Sequence, residues 1–282
     1  MRALAELVMR GRKQAAIVAI IAALLPMLYW ASAAVVALIT LRKGGSDGAG
    51  VLVWALLPAG AWAFSGDPTP LAVITGAFLL AIALRETVSW AKVLMLALPI
   101  GVLTGIGLET VLDGILSQVI EATEKFLSQS AHQSGEVRLD TEQLRLLMAG
   151  GLGSVHTTFM VLSLILARYW QSGLYNPGGF RQEFHALKLP QMYSGILLAV
   201  LLIIYQLELD FIRWLPLLLL PWIFAGVALV HGSMGKRDLG RFWLVAFYIA
   251  IIFMGPYVIT LLVFAALLDS FVDFRARIPA KN

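Results

Sequence analysis

The chain has 282 residues, of which 60% are hydrophobic and 13% are charged, and it contains no cysteine. A soluble domain typically has about 25% charged and 45–50% apolar residues, so one water-soluble core cannot hide this much apolar surface. The absence of cysteine excludes disulfides, Cys-ligated zinc and iron–sulfur clusters. The net charge of +4 comes from bases in short loops beside apolar runs, which indicates membrane topology rather than binding of nucleic acid.

Eight apolar segments follow one another along the chain. Lipid offers no water to exposed backbone groups, so these segments are expected to be helices. Most have 15 to 21 residues, close to the length of about 20 that spans a bilayer core. We therefore predict an all-α, polytopic transmembrane bundle that forms a single domain over residues 1–282. The segments are Gln14–Leu41, Gly50–Phe64, Thr69–Leu84, Val88–Leu108, Met148–Ala167, Gln191–Leu207, Trp214–Val230 and Phe242–Leu268.

The first segment is too long for one upright span and has Pro26 near its middle. If the chain turns back there, fourteen Lys and Arg residues lie on the N-terminal side and four on the other, leaving out the three at the C-terminus. A single crossing gives eight and ten instead. Because cytoplasmic loops carry an excess of Lys and Arg, the count favours a hairpin or re-entrant segment and a cytoplasmic N-terminus.

The N-terminus could be a cleaved signal peptide or a retained segment, and the last apolar segment could cross the membrane once or turn back. The N-terminus resembles a signal peptide, but its apolar run exceeds the typical 7–15 residues or so, and we expect a retained membrane segment. The last segment has similar length and contains Pro256. It either crosses the membrane once or breaks at Pro256 and returns, and the charge count leaves both open.

One long polar insertion, residues 109–145, carries seven acidic and three basic residues and is expected outside the cytoplasm. Apolar residues recur at helical spacing in its first half, which predicts an amphipathic helix. This helix either lies at the membrane surface or forms a lid over an outward-facing cavity. The apolar positions include Val111, Leu112, Ile115, Leu116, Val119 and Ile120.

The predicted substrate-binding residues surround a glycine-rich stretch near the outer end of the fifth segment. Glycine and serine there either pack helices closely or line a ligand cavity with exposed backbone. His156 is either a helix-bridging hydrogen-bonding group or a ligand. The candidates are Glu109, Gly150, Gly153, Ser154 and His156.

An enzyme is not predicted, because the usual catalytic and nucleotide-binding motifs are absent from the chain. Ser154 and His156 point nearly opposite ways on a helix, whereas Ser154 with His231 stays possible as a hydrolase pair. No cofactor and no metal site is predicted.

The stretch from Asn176 to Pro190 is the most distinctive of the predicted cytoplasmic loops. Asn-Pro-Gly-Gly at its start predicts a turn, and apolar and charged residues then alternate as in an interfacial helix. The stretch either docks a cytoplasmic partner protein or connects two spans along the membrane surface. The predicted docking residues are Asn176, Phe180, Arg181, Glu183 and Phe184.

These segments resemble the YybS-like family of bacterial membrane proteins, which is similar to the substrate-binding subunits of energy-coupling-factor vitamin transporters. At Glu183 the chain departs from the family pattern, which has an aromatic residue there. The resemblance implies a bacterial inner membrane. The absence of an ATP-binding motif from the chain indicates that active transport would need a separate energising partner. The resemblance is carried by Phe180-Arg181, by Leu189-Pro190 leading into a span, by Pro26, and by Leu41-Arg42-Lys43-Gly44.

The sequence therefore predicts a small-molecule-binding, transporter-like membrane subunit. Its cavity is expected to open outward, between residues 150–156 and the insertion at 109–145. The alternative is a membrane scaffold or assembly factor that recruits partners through its loops and has no substrate.

Overall fold

A computed structural model describes residues 2–134, 141–208 and 210–278, with side chains for all of them except 127–134. Every regular element in these residues is a helix, so the predicted all-α bundle is confirmed. The helices are α1 (Arg2–Met9), α2 (Arg12–Leu24), α3 (Tyr29–Lys43), α4 (Gly45–Phe64), α5 (Thr69–Thr87), α6 (Trp90–Ser134), α7 (Thr141–Tyr175), α8 (Gly179–Ala186), α9 (Gln191–Gln206), α10 (Phe211–Lys236), α11 (Arg241–Val272) and α12 (Phe274–Arg277).

The eight predicted apolar segments coincide with these helices, and the first segment is divided between α2 and α3. Within the described part of the chain, six helices are long and apolar enough to cross a membrane. A seventh span is counted if α8 and α9, which are bent by 53°, act together. The core is centred on α3, in which residues 32–41 are all buried. Helix α11, by contrast, exposes most of its apolar side chains at the perimeter.

The first apolar segment turns back at Pro26, as the charge count predicts. The hydroxyl of Ser32, on α3, donates to the carbonyl of Ala19, on α2, at 2.9 Å. In one continuous helix these residues would lie about 20 Å apart along the axis. Arg12 forms an ion pair with Asp47, so the start of α2 lies beside the start of α4. The two helices therefore form a hairpin whose ends return to one side.

The basic residues of several loops meet at this side of the bundle. Arg85 donates to the carbonyl of Leu41 at 2.7 Å, and Gln171 donates to the same carbonyl at 3.3 Å. The turn between α5 and α6 and the end of α7 therefore lie beside the end of α3. We call this side the basic end, defined by Arg42, Arg85, Arg168, Lys188 and Lys236.

Introduced cysteines test this topology directly, because the chain has none of its own. Ser46, Ser65 and Asn176 are all exposed; Ser46 and Asn176 lie at the basic end, and Ser65 follows α4 at the other end. We expect a membrane-impermeant maleimide to label Ser65→Cys in intact cells. Ser46→Cys and Asn176→Cys should react only after permeabilisation. Labelling of Ser46→Cys in intact cells would contradict the expected cytoplasmic orientation of the basic end, and labelling of Ser46→Cys without Asn176→Cys would contradict the turn at Pro26.

The last apolar segment also returns to the basic end. Helix α11 has a non-helical backbone at Met254, two residues before Pro256. In its first half, Tyr248 hydrogen bonds with His231 at 2.9 Å. Beyond its end, the carbonyl of Arg275 accepts from Lys236 at 2.6 Å. A straight helix of 32 residues would be about 48 Å long and could not make both contacts with the end of α10. The chain therefore bends at Met254, and the last apolar segment turns back instead of crossing once.

Helices α6 and α7 form a long antiparallel pair that extends beyond the rest of the bundle. A small apolar cluster of Leu116, Ile120 and Leu144 joins them, and Arg145 pairs with Asp113. The predicted amphipathic helix is therefore a continuation of α6. In the described residues, Leu116 and Ile120 on this helix pack against Leu144 of α7, while the surface-helix and lid interpretations stay predictions. Residues 135–140 of the predicted insertion lie outside the described part.

Candidate functional site

The predicted substrate-binding residues mostly serve contacts between helices. Glu109 on α6 forms an ion pair with Arg213 on α10, and side chains of both are largely shielded, at 20% and 15% exposure. A Cβ atom on Gly150 would collide with the backbone of Arg213. The start of α10 therefore closes against α6 and α7 at the end opposite the basic end.

Gly153 lies at a close contact between the backbones of α6 and α7. A Cβ atom on Gly153 would lie 3.0 Å from the carbonyl oxygen of Gly101, and one on Gly105 would lie 3.1 Å from the Cα of Gly153. The glycines thus let the backbones of α6 and α7 touch. Of the two interpretations of this stretch, close packing is the one seen for Gly153.

Ser154 and His156 face different grooves. Ser154 lines an apolar groove of about 410 Å³ between α7 and α10, and its hydroxyl donates to the carbonyl of Gly151 at 3.2 Å. His156 is buried, bonds to the carbonyl of Leu152 in its own helix, and lines a groove between α6 and α7. The five predicted residues are therefore not gathered around one cavity in the described structure.

The suggested pair of Ser154 and His231 is not formed. The groove beside Ser154 is lined by α10 residues between Leu215 and Ile223, and His231 lies eight residues after Ile223, about 12 Å further along the helix. His231 instead bonds to Tyr248 and packs edge-to-face against Phe184, with centroids 5.6 Å apart.

The predicted docking stretch folds onto the basic end. The predicted turn is present, with Gly178 at a φ of 87° that favours glycine. Phe180 packs against Trp90 and Phe184, with ring centroids 6.4 and 5.6 Å away. The aromatic residues of α8 therefore attach it to the bundle.

The polar docking residues divide into two groups. Glu183 accepts two hydrogen bonds from Arg168 of α7, that from Nε at 2.9 Å, and is thereby held against α7 with a third of its side chain exposed. Asn176 and Arg181 are exposed. Only these two of the five predicted docking residues are exposed.

A cavity of about 760 Å³ opens at the basic end, where α3, α5, α6 and α7 meet the segment that contains α8. Its volume lies in the range of about 300–1,000 Å³ that is usual for small-molecule sites. Basic and acidic side chains face each other across it. The polar lining consists of Arg85, Glu86, Ser89, Trp90, Arg168, Gln171, Glu183 and Lys188.

Several polar groups of this basic-end cavity have spare hydrogen-bonding capacity. Glu86 is exposed and forms no hydrogen bond or ion pair with the described residues. Arg85 donates one of its five N–H groups to Leu41. The indole N–H of Trp90, a residue only 6% exposed, has no partner in the described structure. The cavity can therefore offer donors and an acceptor to a polar molecule. Among the described residues, no group of three His, Asp or Glu is placed to hold a metal.

The architecture defines a multi-pass membrane protein, because several apolar helices of spanning length surround a buried core. No family model, curated protein or solved structure matches the chain.

The sequence reasoning missed the basic-end cavity. Its charged residues are spread over more than 100 positions, from Arg85 to Lys188, and no local motif links them. The signal that could have found it is the positive-inside count, which already placed these bases on one side. It could not show that their helix ends leave a space between them.

Proposed function

We propose that the protein is a small-molecule-binding, transporter-like subunit of a bacterial inner membrane. The basic end faces the cytoplasm in this proposal, as the excess of Lys and Arg favours. The observation that carries the proposal is the basic-end cavity, which combines a ligand-sized volume with charges of both signs. This moves the binding site from the expected outward position to the opposite end of the bundle.

The lining indicates the chemistry of the ligand. Arg85, Arg168 and Lys188 outnumber Glu86 and Glu183 by one charge. Arg168 and Glu183 already pair with each other, and Lys188 pairs with Asp273, which leaves Arg85 and Glu86 as the charges with spare capacity. A small polar molecule with an anionic group toward Arg85 and a donor toward Glu86 fits this arrangement. An amino acid or a similar zwitterion is of this class.

Transport through this protein would need an energy source outside the chain. No nucleotide-binding motif occurs in the sequence, so a separate energising subunit is part of the proposal. Asn176, which precedes α8, and Arg181, which lies on α8, are exposed and would contact this subunit. The YybS-like resemblance agrees with such an arrangement and forms part of the same proposal.

Equilibrium dialysis of the purified protein tests this function. The probe is a defined mixture of amino acids, small carboxylates and nucleotides, with retained compounds identified by mass spectrometry. We expect at least one zwitterion to be retained, and Glu86→Ala to lower its retention about tenfold, because a hydrogen bond to a charged group contributes roughly 1.5–3 kcal/mol.

Glu142→Ala is the matched control, since Glu142 is also an exposed carboxylate but lies at the start of α7, away from the basic end. Retention should be unchanged in this variant. If the wild-type protein retains nothing from the mixture, or if both variants behave alike, the proposed site is wrong.

A specific observation favours the scaffold as the second candidate. Val111, Ile115 and Val119 form an exposed apolar stripe on α6, with 57%, 58% and 47% exposure. Glu109 already lies nineteen residues after Trp90, about 28 Å along the helix, so this stripe begins near the edge of a hydrocarbon core about 30 Å thick. An apolar surface there suits contact with another protein, and a negative result in the dialysis experiment favours this role.

A further inference from the structure

An apolar slot runs along the side of the bundle between α7, α8, α10 and α11. It has a volume of about 580 Å³ and opens at the perimeter. Most of its wall is aliphatic or aromatic, from Leu162 and Ile165 on α7 to Leu220 and Val227 on α10. Its polar groups are gathered at one end. They are Arg181, His185, His231 and Tyr248, and the one other polar side chain among the described residues of the wall, Thr158, donates its hydroxyl to the carbonyl of Ser154 in its own helix.

A second pocket adjoins this polar end of the slot. It has a volume of about 590 Å³ and shares Arg181 and His185 with the slot. Four cationic side chains and one carboxylate line it. We call it the basic pocket, and its charged residues are Arg181, Lys188, Lys236, Arg275 and Asp273.

The ion pairs around the basic pocket leave it positively charged. Lys188 lies 3.1 Å from Asp273, and its hydrogen bond holds the pKa of that carboxyl below the ordinary value, so the carboxylate is ionised at neutral pH. Arg275 pairs with Asp269 at 2.7 Å. Lys236 donates to a backbone carbonyl, and Arg181 forms no ion pair or side-chain hydrogen bond with the described residues that line the pocket. Two positive charges, those of Arg181 and Lys236, therefore remain without a counter-charge.

We propose that the slot and the basic pocket together bind an anionic membrane lipid, with an acyl chain in the slot and the phosphate of the headgroup beside Arg181 and Lys236. The two compartments match the two parts of such a molecule. The apolar compartment opens toward the hydrocarbon of the bilayer. The charged compartment lies at the basic end, where the helices emerge from that hydrocarbon.

The depth of the slot agrees with one leaflet. Leu220 lies sixteen residues before Lys236 on α10, which is about 24 Å along the helix axis. Half of a bilayer, including its headgroup layer, is about 20–22 Å thick. A lipid whose phosphate lies beside Lys236 therefore places its chain along the whole slot.

Charge decides which lipid is bound. Basic pockets between transmembrane helices on the cytoplasmic side bind anionic headgroups, and each nearby Lys or Arg contributes about 1 kcal/mol to the attraction. A zwitterionic lipid has a cationic group that Arg181 would repel. The pocket therefore selects an anionic phospholipid over a zwitterionic one with the same chains.

Native mass spectrometry of the full-length protein in detergent tests the proposal. The probes are dioleoyl-phosphatidylglycerol and dioleoyl-phosphatidylcholine, added separately to delipidated protein. We expect the first phosphatidylglycerol to bind more tightly than phosphatidylcholine. Arg181→Gln should weaken phosphatidylglycerol about fivefold, which corresponds to the loss of one charge near the headgroup. Arg237→Gln is the control, because Arg237 is also exposed at the basic end but lines neither compartment.

A second variant tests the slot separately from the charge. Leu162 is 47% exposed and lines the slot, so Leu162→Trp should fill it without disturbing the core. We expect this variant to weaken phosphatidylglycerol at least fivefold. Leu202→Trp, at an exposed position of α9 outside the slot, should bind as the wild type does.

Four results would overturn the lipid site. Phosphatidylcholine could bind as tightly as phosphatidylglycerol, or Arg181→Gln could bind no more weakly than Arg237→Gln. Leu162→Trp could retain full binding. Finally, an excess of inorganic phosphate could displace the lipid, which would show a site for the free anion instead. None of these results depends on the dialysis experiment, because the basic-end cavity and the lipid site are probed with different ligands.

Discussion

Replacing Asp269 with alanine should destabilise the protein by about 3–5 kcal/mol, the cost of breaking a buried ion pair by removal of one partner. Asp269 is 2% exposed and lies 2.7 Å from Arg275, whose side chain is also buried. Asp269 additionally accepts from the backbone N–H of Phe274 at 2.8 Å, and Arg275 donates to the carbonyl of His185. The substitution leaves an uncompensated guanidinium among packed helix ends.

The midpoint of thermal unfolding in detergent measures this effect. Glu6→Ala is the control, because Glu6 pairs with Arg2 at the surface with half of its side chain exposed, and such pairs contribute about 0–1 kcal/mol. The double variant Asp269→Leu with Arg275→Met should recover part of the loss, since it removes both charges. If Asp269→Ala unfolds at the same temperature as Glu6→Ala, the ion pair does not anchor the return of α11.

The sequence was sufficient to predict the helices and one of the two turns within apolar segments. Hydrophobic length identified the segments, because lipid permits few structures other than helices. The loop charges identified the turn at Pro26, because a single crossing there would move every later loop to the opposite side of the membrane. The turn near Pro256 was left open, since few charges follow it. In the structure, the contact of Lys236 with the carbonyl of Arg275 decides it.

The sequence could not predict in the same way which helix packs against the apolar face of another helix. The pattern from Val111 to Ile120 suits a helix at a membrane surface as well as one packed on a neighbour. Leu144 on α7 determines which one forms, because it meets Leu116 and Ile120. Likewise, the basic-end cavity arises where five segments converge, and hydrophobic periodicity carries no information about which helix ends meet.

The glycine contact between α6 and α7 gives a further large effect, because Gly153 has no room for a side chain. We expect Gly153→Val to lower stability by about 2–3 kcal/mol, at the upper end of the usual cost of overpacking. Its Cβ would lie 3.0 Å from the carbonyl oxygen of Gly101. Neither helix can shift away at this point alone, since the backbones of α6 and α7 are also in contact at Gly105.

Gly151→Val is the matched control for this variant. It lies in the same turn of α7, but a Cβ atom there would meet nothing within 4 Å. Both substitutions change the helix propensity equally, so a difference between them reports the contact with α6. We expect Gly153→Val to unfold about 5–10 °C below Gly151→Val, by the usual relation between stability and midpoint temperature for chains of this size. Equal unfolding temperatures would mean that α6 and α7 are not in backbone contact, and the long pair they form would need a different explanation.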